Sequence, residues 1–293
     1  MTCLGFVGLG RMGAAMAPRL LGDGRDLVVW NRSADRAAPV VAAGATLAAT
    51  PADVARSAGV VFSMIRDDDA AAEVYEGRHG FLSAPLEGRL FVEMSTLRPA
   101  TIARLDAALR GRGAALVDAP VSGTVGPARD GRLLALVGAR PADLARARPF
   151  LDRLCRRIVH AGPVGHGALL KLVVNLPLGV YWQALAEALA LGRAGGLEYT
   201  AMLDALQDSS AALAVLGLKR PAILGDTQAP AFDLASMQKD LLYILETGSA
   251  SGVPMPATAA ALGTYAAASA NGLGAEDSVA IVRFLAEKMT RQA

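Results

Sequence analysis

Short apolar runs alternate with helical spacing along the first half of the chain, and helical spacing alone follows. Leu4–Val7, Leu27–Trp30, Val60–Met64, Leu90–Met94, Ala115–Val117 and Leu133–Val137 are apolar stretches of strand length. Such runs predict strands of a buried sheet. Between them, Met12–Leu21 and Ala100–Arg110 carry apolar positions at helical spacing. Strands alternating with helices predict βαβ units and a largely parallel sheet. After Gly167 the pattern changes. Leu169, Leu172, Val173, Leu176, Val180, Leu185 and Leu189 share one helical period, which predicts a long helix over about 167–194. Pro177 inside it is expected to kink or interrupt the hydrogen-bond ladder. From there to Ala293 only helices and loops are predicted. The reading is an α/β domain over residues 1–162 and an all-α domain over 163–293, joined by the long helix.

Composition narrows the function classes. Hydrophobic residues make up 53% of the 293 and charged residues 19%, with a net charge of +2, so neither disorder nor a nucleic-acid or membrane-surface partner is indicated. Cys3 and Cys155 form neither a disulfide framework nor a metal cluster and read as reduced, buried thiols of a cytoplasmic protein. The opening Thr2–Gly8 has no basic stretch, and no signal peptide is expected. Ala168–Leu191 is the most membrane-like segment, but Lys171, Asn175, Gln183 and Glu187 within it are costly in lipid. It reads as a buried helix. His79, His160 and His166 show no ligand spacing, and no metal site is expected.

The candidate chemistry begins at "FVGLGRMGAAM", Phe6 to Met16. A lone G-x-G-x-x-G is weak evidence, but this one follows a predicted strand, precedes a predicted helix and is followed by a second strand at the spacing of a dinucleotide fold. Gly8 then serves the tight turn, Gly10 the approach of a pyrophosphate and Gly13 the packing of helix on strand, with helix-start N–H groups favouring negative charge. The N-terminal domain is therefore Rossmann-type. Where an acid would accept from the ribose hydroxyls of NAD, the second strand ends in Asn31-Arg32-Ser33. These three can donate to a 2′-phosphate, which a carboxylate would repel. NADP(H) is the expected cofactor, with NAD(H) possible; an ordinary solvated Arg32 is the competing reading.

Further positions bear on catalysis. Only Lys171, Lys219, Lys239 and Lys288 are lysines among 29 basic residues, and a retained lysine can supply a point charge or proton that guanidinium cannot. Lys171 lies on the long helix with Asn175 one turn on. It reads either as an acid–base group or as a lysine snorkelling at the start of a core helix. "DAPVSGTVGPARDG", Asp118 to Gly131, follows a strand. Ser122, Gly123 and Thr124 in it can offer hydroxyls and N–H groups to a small carboxylate, or form a plain connecting loop. Ser95-Thr96 ends another strand at the sheet edge where such folds bind ligands, or caps the next helix.

Together these residues resemble the β-hydroxyacid dehydrogenase family, over nearly the whole chain and in family order. "GFVGLGRMGAAMA" looks like its dinucleotide motif and "EMSTLRP" like the nicotinamide-ribose segment. "DAPVSGTVGPARDG" is similar to the substrate motif, "GPVGHGALLKLVVN" to the catalytic-lysine segment and "QKDL" to the C-terminal lysine motif. The resemblance implies that Lys171 is the general acid/base and that Ser122, Gly123, Thr124 and Asn175 bind substrate. Gly8, Leu9, Gly10, Arg11, Met12, Gly13, Asn31, Arg32, Ser33, Met64, Ile65, Thr96 and Lys239 would line the cofactor. It also implies a homodimer or homotetramer. "WNRS" looks like the "WNRT" of NADPH-using members, and "VSGTVGPARDGRL" looks closest to the glyoxylate/succinic semialdehyde reductase branch. The expected activity is NADPH-dependent reduction of a small carboxylate-bearing aldehyde to the hydroxy acid. An NAD-dependent 3-hydroxyisobutyrate-type dehydrogenase, an imine reductase and a non-catalytic binding module are the alternatives. Thr124, where many members have a second Gly, and Arg66, where a Leu-Pro pair commonly ends, depart from the pattern and put the substrate in doubt.

Overall fold

Unbroken apolar runs need cover on both faces, and that requirement organises the N-terminal half. In a computed structural model of the chain, which describes residues 3–22, 26–226 and 230–290, this half is built on one sheet. Its strands are β1 (Leu4–Val7), β2 (Leu27–Trp30), β3 (Thr46–Leu47), β4 (Val60–Ser63), β5 (Leu90–Glu93), β6 (Ala115–Asp118), β7 (Val121–Ser122), β8 (Leu133–Gly138) and β9 (Cys155–Gly162). The order is β3-β2-β1-β4-β5-β6-β8-β7, with β9 on β8. β3 to β6 pair in parallel throughout this order, whereas β8 runs antiparallel to β6 and β7. Alternation divides the side chains. Leu4, Phe6, Phe62 and Val92 pack in one buried layer, and Val7, Val61, Phe91 and Leu116 in the other.

The connections are α1 (Arg11–Met16), α2 (Ala38–Ala42), α3 (Pro51–Ser57), α4 (Asp68–Glu76), α5 (Pro99–Arg110), α6 (Val125–Asp130) and α7 (Pro141–Leu154). Each expected strand is present. The helix expected over Met12–Leu21 is shorter: α1 stops at Met16 and a 3₁₀ turn covers Ala17–Leu20. Pro18 has no N–H for an α-helical bond and enforces the change. β3, β7 and β9 carry too little uniform hydrophobicity to stand out; Arg156 and Arg157 of β9 are exposed.

The long helix is α8 (His166–Ala194), and it runs through Pro177 without a break in assignment. The carbonyl this proline deprives of a partner belongs to Val173, which is 57% exposed and so open to water. α9 (Tyr199–Asp208), α10 (Leu216–Ile223), α11 (Leu234–Ala250), α12 (Pro256–Ala270) and α13 (Ala280–Thr290) follow. The chain forms two compact units, residues 1–171 and 172–293, so α8 begins in one and continues in the other. In the second unit Trp182, Leu185 and Leu189 of α8 pack with Met237, Leu241 and Ile244 of α11 and Tyr265 of α12. Gly179 permits this closeness, since a Cβ there would lie 2.8 Å from a Leu241 methyl. α8 is not the wholly buried helix expected: Leu169, Val173 and Leu191 are exposed.

Candidate active site

The strand order reverses at β1, which has β2 on one side and β4 on the other. Open α/β sheets bind ligands outside the carboxyl ends of strands at such a point. The glycine loop lies there. Gly8 has φ +93°, and a Cβ on it would strike the Met64 carbonyl; one on Gly13 would strike the carbonyl of Gly8. Gly10 differs, for a Cβ there would meet nothing within 4 Å. Two glycines are thus required by the protein's own packing, and the third faces open space at the start of α1. That is the fit a pyrophosphate needs, with the first-turn N–H groups of Arg11, Met12 and Gly13 beside it.

The end of β2 builds the other wall. The Leu9 N–H donates to Asn31 Oδ1 at 2.8 Å, and Asn31 Nδ2 donates to the Ser33 carbonyl at 2.9 Å. Asn31 clamps the glycine loop to β2 through these two bonds, and Arg32 and Ser33 are exposed beside it.

Met64, Ile65 and Thr96 follow β4 and β5, and a buried network between the two strand ends holds Ile65. Glu93, fully buried, accepts from Ser63 Oγ at 2.6 Å, from the Tyr75 hydroxyl at 3.1 Å and from the Ser95 N–H at 2.8 Å. Ser95 Oγ in turn accepts from the Ile65 N–H at 2.7 Å. Burial pushes the Glu93 carboxyl up, against the pull of these donors, and pushes Tyr75 well up. Ser95 is therefore a link between two strand ends, and Thr96 beyond it is only half-buried. Arg66 is 77% exposed on its side chain, 3.6 Å from Asp67.

Asp118 ends β6. Its Oδ1 accepts from the Gly165 N–H at 3.0 Å and its Oδ2 from the Ala168 N–H at 2.8 Å, holding the first turn of α8. Burial pushes this carboxyl up to about 6, although the N–H groups that surround it pull the other way. Lys171, which is 9% exposed, lies three residues beyond Ala168 on the same helix. Beyond Asp118 the chain enters the candidate substrate loop. Ser122 is half-buried in β7. Gly123 adopts φ +131°, a conformation that favours glycine. Thr124 precedes α6 without a capping hydrogen bond from its hydroxyl.

In the second unit Asn175, 5% exposed, donates from Nδ2 to Asp240 Oδ2 at 2.7 Å. Lys239 Nζ is 2.8 Å from Asp240 Oδ1 and 4.5 Å from the centre of the Tyr243 ring. One buried carboxylate thus joins two predicted residues. Asp240, Asp118 and Glu93 were not singled out from sequence. Each stands beside a residue that was, or opens its motif, and only the fold shows that they face inward.

The N-terminal half matches a family model described as the NAD binding domain of 6-phosphogluconate dehydrogenase, over residues 3–162. Residues 165–285 match one described as the NAD-binding of NADP-dependent 3-hydroxyisobutyrate dehydrogenase. The chain is 34% identical to glyoxylate/succinic semialdehyde reductase 1 of Arabidopsis thaliana, over 99% of each chain. It is 36% identical to an NAD-dependent L-serine dehydrogenase of Pseudomonas aeruginosa, over 90% of this chain and 91% of the relative. Among solved structures, 3-hydroxyisobutyrate dehydrogenase of Mycobacterium tuberculosis with L-serine superposes with a TM-score of 0.85 at 28% identity, covering 97% of this chain and 99% of that one.

Proposed function

This chain belongs to the β-hydroxyacid dehydrogenase family, NAD(P)-dependent oxidoreductases acting on CH–OH groups, and on that premise we propose that it reduces a small carboxylate-bearing aldehyde with NADPH. The observation that carries the reading is the buried Lys171 on a helix anchored to the strand that leads into the Ser122–Thr124 loop. A buried lysine held on an anchored helix can serve as a positioned proton-transfer group. Glyoxylate and succinic semialdehyde are the leading substrates, by similarity to the plant reductase.

The reduced nicotinamide, when bound, supplies the hydride. Arg32 and Ser33 would hold the 2′-phosphate of the cofactor, and the glycine loop its pyrophosphate. Ser122, Gly123 and Thr124 bind the substrate carboxylate. Lys171 donates a proton to the oxygen of the former carbonyl, and in the reverse direction removes it from the hydroxyl. Asn175, whose Nδ2 donates to Asp240 Oδ2, keeps its carbonyl oxygen available as an acceptor for the substrate hydroxyl. The cytoplasm is the expected compartment.

Turnover of glyoxylate, succinic semialdehyde, tartronate semialdehyde, methylmalonate semialdehyde and their alcohols, each with both cofactors, tests the reading. NADPH-dependent reduction of glyoxylate or succinic semialdehyde is the expected result. Oxidation of a 3-hydroxy acid with NAD alone supports instead the dehydrogenase reading that the serine dehydrogenase relative favours. In Lys171→Ala, turnover should fall about 10²- to 10⁴-fold, the usual contribution of one positioned proton-transfer group, while NADPH binding persists. Near-normal turnover in that variant removes the assignment.

A further inference from the structure

A lysine side chain is long and flexible, so a proton donor built from one needs its backbone held firmly. We propose that Asp118 is the positioning residue for Lys171, acting through the first turn of α8. The proposal rests on the proton-transfer reading of Lys171 and extends it to the group that holds it.

A helix start ordinarily takes its cap from the residue just before it. That residue here is Gly165, which has no side chain. The acceptor comes instead from the end of β6, 47 residues before Gly165 and 50 before Ala168. Both oxygens are engaged, and the Ala168 N–H belongs to the turn that carries Lys171. The chain on the other side of Asp118 runs through Ala119–Val121 into Ser122, Gly123 and Thr124. A single carboxylate therefore fixes the lysine's helix against the strand that delivers the substrate loop.

The surroundings are shaped to this contact. A Cβ on Gly167 would lie 2.7 Å from Asp118 Oδ2, and one on Gly138, the β8 partner of Asp118, would lie 2.6 Å from the Pro163 carbonyl. Neither glycine can be enlarged without moving the helix start. Only a carboxylate answers two N–H donors with two acceptors; an amide of the same shape turns a donor toward one of them.

The test uses the full-length protein with NADP⁺ bound or under turnover. Asp118→Asn removes one acceptor, and Gly167→Ala keeps the carboxylate but pushes the turn away from it. In each, kcat for aldehyde reduction should fall about 10- to 100-fold, the scale of a displaced catalytic group. The aldehyde KM and the NADPH Kd should stay within about 3-fold. Combined with Lys171→Ala, Asp118→Asn should cause no further loss, because residues acting through one another are not additive. With only four lysines, ¹³Cε-lysine NMR reads the position directly. The Lys171 resonance, assigned by its loss in Lys171→Arg, should move in both variants while the other three stay. Equal losses with and without Lys171, or an unmoved Lys171 resonance in either folded variant, overturns the proposal. Near-normal turnover of Lys171→Ala alone would instead overturn the proton-transfer reading, and the resonance would still decide whether Asp118 positions the lysine.

Discussion

Asn31 and Arg32 are adjacent in the chain but differ in their surroundings, and the difference sets the cofactor prediction. Asn31 binds the Leu9 N–H, so its loss should loosen the glycine loop and weaken NADH and NADPH alike. Arg32 is exposed at the strand end, and in the proposed NADPH reading it meets the 2′-phosphate alone. Charge-assisted hydrogen bonds of this kind are worth about 1.5–3 kcal/mol, so Arg32→Ala should raise the NADPH Kd about 10- to 100-fold and leave NADH nearly unchanged. Fluorescence titration of both variants with both cofactors checks this; an unchanged preference in Arg32→Ala sinks the phosphate role. Asp118 gives a pH prediction. Its carboxyl sits at about 6 in the fold against about 3.9 unfolded, so the folded state holds the proton more tightly. Its contribution to stability is full below the unfolded pKa and is lost as pH rises through about 6. The loss is on the order of 2–3 kcal/mol. Denaturant unfolding from pH 4 to pH 7.5 should show a decline in the wild type that is smaller in Asp118→Asn, the remainder coming from the likewise raised Glu93.

At the level of elements, the sequence disclosed what uniform runs and glycine spacing encode. All six strands read from apolar runs are present, because a strand covered on both faces leaves a continuous hydrophobic stretch. β3 has two exposed residues and β7 has two in all, and neither leaves a pattern. The helical period continues past Pro18, whose missing N–H ends α1 at Met16, so the spacing alone overshoots the helix. The motif residues were legible, but their supports were not. Glu93 shows why, since a charged residue at the end of an apolar run reads as a solvated strand terminus. It is instead buried among Ser63, Tyr75 and Ser95. It ties β4 to β5 just before Ile65 and Thr96. Glu93→Ala removes the acceptor of three buried donors; Ser63 and Tyr75 can still bond each other at 2.9 Å, which leaves two donors unmet at about 1–3 kcal/mol each. The variant should unfold about 3 kcal/mol more easily, as measured by denaturant titration. Glu93→Gln, which keeps an acceptor, should lose less. Equal stability of Glu93→Ala and wild type would show that the network holds nothing together.

For the whole molecule, the membrane-like segment identified in sequence leads to a proposal about assembly. On α8, Leu169, Val173, Pro177, Ala184, Ala188 and Leu191 are all exposed. At 100° per residue they fall within an arc of roughly 100°. Glu187 is the one exposed charge among them. The helix is long and apolar enough to cross a membrane by length and composition. Yet its opposite side carries the buried Lys171 and Asn175, polar groups that face the protein's interior. An apolar stripe of this length is rarely left to water in a monomer, and a second copy of the chain offers the same stripe as its complement. We propose that the protein is a homodimer or a higher even assembly through α8. Light scattering coupled to gel filtration should give at least twice the chain mass of 30.1 kDa. Replacing Val173 and Leu191 together with Glu places like charges in the stripe and should return the mass to that of one chain with secondary structure intact. A wild-type mass of 30.1 kDa at micromolar concentration, or a double variant that still assembles, rules out this face as the interface.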